Sequence, residues 1–71
     1  MAELKYEIIS NIGVLSGDDD SWRKELNFIS WNGRDPKYDI RDWSPDGSKM
    51  GKGVTLTENE LMNLKEILSN M

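Results

Sequence analysis

Trp31, Lys37, Arg41 and Trp43 stand at odd positions of two alternating stretches, and in a strand alternate side chains share one face. Indole rings set among ammonium and guanidinium groups suit one chemistry in particular: rings stack on unpaired bases while the cations meet phosphate. The segment 36–43, PKYDIRDW, shows the pattern most clearly, with Tyr38 and Ile40 left on the parity that a core would use. In the preceding WRKELNFISW, residues 22–31, Leu26 and Phe28 take the core parity and Arg23, Asn27, Ile29 and Trp31 the other. An exposed tryptophan also marks protein contacts, so the same face admits a second reading, a module that docks a partner chain.

Other chemistries find little support. The sequence has no histidine and no cysteine, which removes the usual nucleophiles and neutral-pH bases, and Asp35, Asp39 and Asp42 lie among Lys37 and Arg41 as ordinary ion-pair partners. An enzyme is not expected, nor is a cofactor. GSKMGKG, residues 47–53, has a phosphate-loop flavour but leads into VTL, a strand, where such a loop must lead into a helix. Asp18, Asp19 and Asp20 are contiguous, unlike the alternate spacing of a calcium loop, and read as a solvated turn. No metal is expected.

Charge is unevenly spread. The net charge is −4, which alone argues against a polyanionic partner, yet residues 22–56 hold seven of the nine basic residues and all three tryptophans against five acids. The middle of the chain therefore carries a local +2 and the flanks carry the acid. A chain of 71 residues forms one domain, buries only about 60% of its unfolded surface, and here lacks disulfide or metal support. Self-association is the remaining aid. No apolar run reaches the length of a membrane span, and MAELKYEIIS lacks the features of a signal peptide, so a cytoplasmic protein is expected.

The elements that must position these groups follow from period and punctuation. KYEIISNIGVL, residues 5–15, reads as a first strand with Tyr6, Ile8, Ile12 and Val14 on one parity and Gly13 at a bend or bulge. Residues 16–21 form a turn, 22–31 a second strand, Asn32-Gly33 a tight hairpin, 36–43 a third strand, and 53–56 a short fourth strand after a Pro/Gly-rich connection. Thr57 and Glu60 make a capping box before Leu61, Leu64, Leu68 and Met71 recur at helical spacing. The class is α+β, a four-stranded antiparallel sheet with one C-terminal helix, β-β-β-β-α. If the helix covers the face of Leu26, Phe28, Tyr38 and Ile40, the face of Trp31, Arg41 and Trp43 is left open.

YDIRDW, then GKGVTL after a Pro/Gly loop, then LTENELMNLKEIL together resemble the transcriptional coactivator family of positive cofactor four, and in particular its small bacterial YdbC-type members. The likeness runs from Trp22 to Asn70. It implies a homodimer that binds single-stranded DNA, with RNA as a further candidate, through a curved sheet backed by the helix, in transcription, replication or repair. By the same resemblance the contacts are Lys24, Asn27, Trp31, Arg41, Lys49 and Lys52, with Trp43 beside an aromatic contact; Lys37 joins them by parity. Lys24 and Trp22 have the parity of Leu26, and serve only if the second strand projects past the helix. Ile29 departs from the pattern, standing where eukaryotic members carry a basic residue.

Overall fold

A computed structural model describes residues 5–71; of the stretch read for a signal peptide, residues 1–4 lie outside that range. Four strands, β1 (Tyr6–Ser16), β2 (Arg23–Trp31), β3 (Lys37–Trp43) and β4 (Met50–Leu56), form one antiparallel sheet in chain order, followed by α1 (Glu58–Ser69). β4 starts at Met50, earlier than the expected 53, because the connection before it closes on itself. The Ser44 amide donates to the Lys49 carbonyl at 2.9 Å, and one Asp46 carboxylate oxygen accepts from the Ser44 hydroxyl, the Ser48 hydroxyl and the Ser48 amide at 2.7 to 2.9 Å. Between β2 and β3, Asn32 and Gly33 both take positive φ, and the Arg34 amide donates to the Trp31 carbonyl at 3.0 Å, the geometry of a tight primed turn. At the other end, Thr57 and Glu60 form the expected capping box of α1.

β1 is irregular. Its pairing with β2 slips between Ile8 and Ser10, between Asn11 and Gly13, and between Val14 and Ser16. Each slip is a bulge that inserts one residue and increases the local twist and bend. Tyr6, Ile8, Asn11 and Val14 therefore pair with Trp31, Ile29, Asn27 and Glu25, whereas Ile12 falls in a bulge and leaves the parity set by the sequence.

The sheet curls around the odd-numbered face of β2 and β3. Trp43 pairs with Arg23, eight residues along β2 from Trp31, roughly 26 Å on a straight strand. Yet the Tyr6 ring centroid lies 5.6 Å from both indoles. That inner face forms the core: Ile29, Asn27 and Asp39 are wholly buried, and Trp43 and Glu25 are nearly so. The face expected to stand open is thus the most buried one. Helix coverage does not decide burial here, because the bulged, curling sheet covers its own inner side.

The helix does lie on the opposite face, as its stripe suggested, but it covers little of it. α1 packs on β3 and β4, and a groove of about 620 Å³ runs between Leu61, Leu64 and Leu68 of the helix and Leu15, Leu26 and Ile40 of the sheet. Ile9, Ile12, Leu15, Val54, Ile67 and Leu68 remain exposed.

The three donors on Asp46, the Ser48 amide first, then the Ser48 and Ser44 hydroxyls, lower its pKa from 3.8 to about 2. A lowered folded-state pKa means that the carboxylate's support for the 44–49 loop is present above pH 4 and lost as pH falls through about 2. In a pH titration followed by NMR, the Ser48 amide should hold its shift at pH 3.5 and move only near pH 2. A midpoint near the ordinary carboxylate value would contradict the loop geometry.

Candidate nucleic-acid interface

Asp39 is the fixed point of the inner face. Its carboxylate takes a bidentate pair from Arg41, Nε to Oδ1 at 2.6 Å and Nη2 to Oδ2 at 2.8 Å, and the Thr55 hydroxyl of β4 donates to Oδ2 at 3.1 Å. Arg41 is two residues along the same strand, so its side chain must lie across the neighbouring strand to make this fork. It does so over Gly53, which pairs with Arg41 and where any side chain would collide with Arg41 Cβ and the Ile40 carbonyl. The glycine of the GKG motif is therefore a clearance for the arginine. From there Nη1 sits 3.4 Å from Met50 Sδ and 3.5 Å from the Gly51 carbonyl, and the guanidinium carbon stands 4.8 Å over the Trp31 ring.

A second polar group continues the floor. Asn11 of β1 donates through Nδ2 to Asn27 Oδ1 at 2.6 Å and to Glu25 Oε1 at 3.1 Å, while Asn27 Nδ2 donates to the same Glu25 oxygen at 3.3 Å. Arg23 approaches Glu25 Oε2 at 3.3 Å through Nε and Asp19 at 3.7 Å through Nη1. The acids of the floor thus offset both arginines, whereas Arg23 Nε and the Trp31 and Trp43 indole N–H groups are buried without a hydrogen-bond partner.

The residues singled out in the sequence separate into three groups. Trp31 and Arg41 meet as one stacked unit, half-buried, with Lys37 exposed at the start of β3, the strand that carries Arg41. Asn27 and Trp43 share that face but lie inside it: Asn27 has no exposed surface and Trp43 is 2% exposed, so Trp43 backs the cluster and offers no open ring. Lys49 and Lys52 are exposed and flank Met50 and Gly51, two of the residues that touch Arg41, while Lys24 is exposed and the exposed Trp22 lines one surface hollow with Lys49. Lys24 pairs with Asp42, and a side chain at Gly51 would meet Asp42 at 3.5 Å and the Trp22 ring at 4.0 Å, which places these groups on the helix side. Among the described residues none of the lysines forms a salt bridge.

Some participants went unread in the sequence. Asp39, whose place among Lys37 and Arg41 predicts a surface ion pair, is wholly buried. Asn11, Thr55 and Glu25 joined the network without any signal beyond their parity, and Tyr6, assigned to the first strand's core parity, covers Trp31 and Trp43 from the sheet edge. The glycines around Lys52 were the one legible clue, since a glycine inside a strand often marks a close approach.

A curled antiparallel sheet with a C-terminal helix on its outer side, presenting aromatic rings and unpaired lysines, has the parts of a single-strand-binding module. The family model described as Transcriptional Coactivator p15 (PC4) matches residues 19–67, and the chain belongs to that family, a non-catalytic DNA-binding one. A protein of Treponema pallidum (strain Nichols), described as an uncharacterized protein, is 55% identical over 69 residues, covering 97% of this chain and 81% of its own length. Among the described residues no helix is long and apolar enough to cross a membrane.

Removing Arg41 strands a buried carboxylate, a loss that typically costs about 3 to 5 kcal/mol. Arg41→Met should therefore lower the urea midpoint steeply, and Asp39→Val combined with Arg41→Met should recover part of it. A single variant as stable as the parent would show that the pair does not hold the sheet.

Proposed function

We propose that this protein binds single-stranded DNA with little sequence preference, as a homodimer acting in transcription, replication or repair. The observation that carries this reading is the Trp31 ring under the guanidinium of the Arg41 fork, with exposed lysines on β3, β4 and the loop between them, in a chain of this family. Bases stack at Trp31, and phosphates run past Lys37, Lys49 and Lys52. Arg41 serves chiefly as a prop, because Asp39 already cancels its charge. Trp43 and Asn27 support the surface from inside, and Lys24 and Trp22 contribute only where a longer strand turns over the sheet edge.

Dimer formation is part of the proposal. The groove between α1 and the sheet is lined almost entirely by aliphatic side chains, and no disulfide or metal supports so small a chain. A second copy offers the same apolar stripe to this one, which a two-fold contact requires. Sedimentation at micromolar concentration should give twice the 8.2 kDa protomer mass, and Leu68→Glu should dissociate or unfold it. A parent that sediments as a monomer refutes the assembly.

Titration with oligo-dT, with duplex of equal length as control, tests the binding. Trp31→Ala should lose roughly 1 to 3 kcal/mol of affinity at nearly unchanged stability. Trp43→Ala should instead destabilise the fold, by about 3 to 5 kcal/mol for a large buried ring. Three lysines on phosphate give a logarithmic salt slope of about −2 per protomer, since a single strand releases about 0.7 counterion per contact. Lys49→Ala should flatten that slope, whereas salt-independent binding, or none, would return the face to a protein partner. An oligo-U arm reads whether RNA is also taken.

A further inference from the structure

Tyr6 is the most exposed ring of the inner-face aromatic cluster. It is 37% exposed, whereas Trp43 beneath it is 2% exposed, and its ring is tilted 48° to Trp31 and 53° to Trp43 at 5.6 Å from each. Cross-strand pairing with Trp31 fixes its place, and the Asn32 amide donating to the Lys5 carbonyl at 2.8 Å, with Lys5 N–H donating back to Asn32 Oδ1 at 3.2 Å, ties the start of β1 to the hairpin. No hydrogen bond among the described residues engages its hydroxyl, so the phenol is free to meet a polar ligand atom. Trp31 is covered from one side by Arg41 and from another by Tyr6, so that a ligand reaching this indole must also meet the phenol.

We infer that Tyr6 is a base-contacting residue, the second ring of a stacking surface whose first is Trp31, and that Trp43 acts through Tyr6 by holding it in place. The inference rests on the proposed single-strand binding and adds to it the edge strand β1. It extends the base-contacting surface from one strand, β2, to two, with a nucleobase as the group taken at Tyr6. An aromatic ring presents a π-face that any base can use, which suits the expected tolerance of sequence.

Three variants separate stacking from support. Tyr6→Phe keeps the ring, Tyr6→Leu keeps an apolar cover over Trp43 without a π-face, and Tyr6→Ala removes both. Anisotropy of a labelled oligo-dT should show Tyr6→Phe within about twofold to threefold of the parent and both other variants weaker by about tenfold to a hundredfold, the range for one lost stack. Thermal melts should leave Tyr6→Leu close to the parent. On a base-free deoxyribose-phosphate oligomer of the same length, parent and Tyr6→Leu should bind alike, since no base remains to lose. A parent that binds oligo-dT while Tyr6→Leu binds as well or better overturns the role of Tyr6 alone. Equal losses for Tyr6→Leu on oligo-dT and on the base-free strand also overturn it, by assigning the effect to the fold. A parent that binds no oligonucleotide removes this inference together with the function on which it rests.

Discussion

A carboxylate with no exposed surface, held by one arginine fork, organises the inner face of this protein. Such a carboxylate is tolerable only when paired and fully hydrogen-bonded, and Arg41 and Thr55 supply both. The demand propagates outward. The fork can form only if β4 is bare at Gly53, and it ties β3 to β4 while the free side of the guanidinium rests over Trp31. One pair thus joins two strands and orients a ring, so the fold and the candidate site share a single constraint.

That arrangement inverts the usual distribution of polarity. The curled interior holds Asn27, Asp39 and Glu25 beside Ile29 and Trp43, and much of the aliphatic surface lies outside, on the helix side. Polar networks inside small domains specify geometry at little net gain in stability, because desolvation offsets most of the attraction. Ile29 and Trp43 supply the buried apolar core on the inner face, while the outer face, where one 12-residue helix flanks an aliphatic groove, holds apolar surface still exposed.

Local chemistry was legible in the sequence and curvature was not. Period two gave the strands, Asn32-Gly33 the turn and Thr57-Glu60 the cap, because each depends on residues within a few positions. The shared face of Trp31, Arg41 and Trp43 followed from parity and is present. Its burial did not follow, since parity says which residues share a side and nothing about how far the sheet closes over them. Only Gly13 hinted at irregularity in β1, whereas three bulges shift Ile12 off its expected parity and bend the strand. Tyr6 shares the even parity of Ile8 but pairs with Trp31 ahead of the first bulge, and there the side it faces is a rim of the curled sheet.

Electrostatics then narrows how an acidic protein can hold a polyanion. Both arginines of the inner face are matched by acids, Arg23 by Glu25 and Asp19, Arg41 by Asp39, so the floor of the face has no surplus positive charge to offer phosphate. Among the described residues the cations outside any salt bridge are the exposed lysines and Arg34 of the β2–β3 turn. Under the proposed function, a strand laid on such a surface would find contacts for bases on the rings and for phosphates at the margin. The paired floor adds a further effect: rings held by ion pairs and neighbouring rings lose little freedom when a base arrives, so stacking there carries a smaller ordering cost than on mobile side chains. For the proposed binding by a protein of net charge −4, a fixed aromatic surface would supply part of what a basic groove supplies elsewhere.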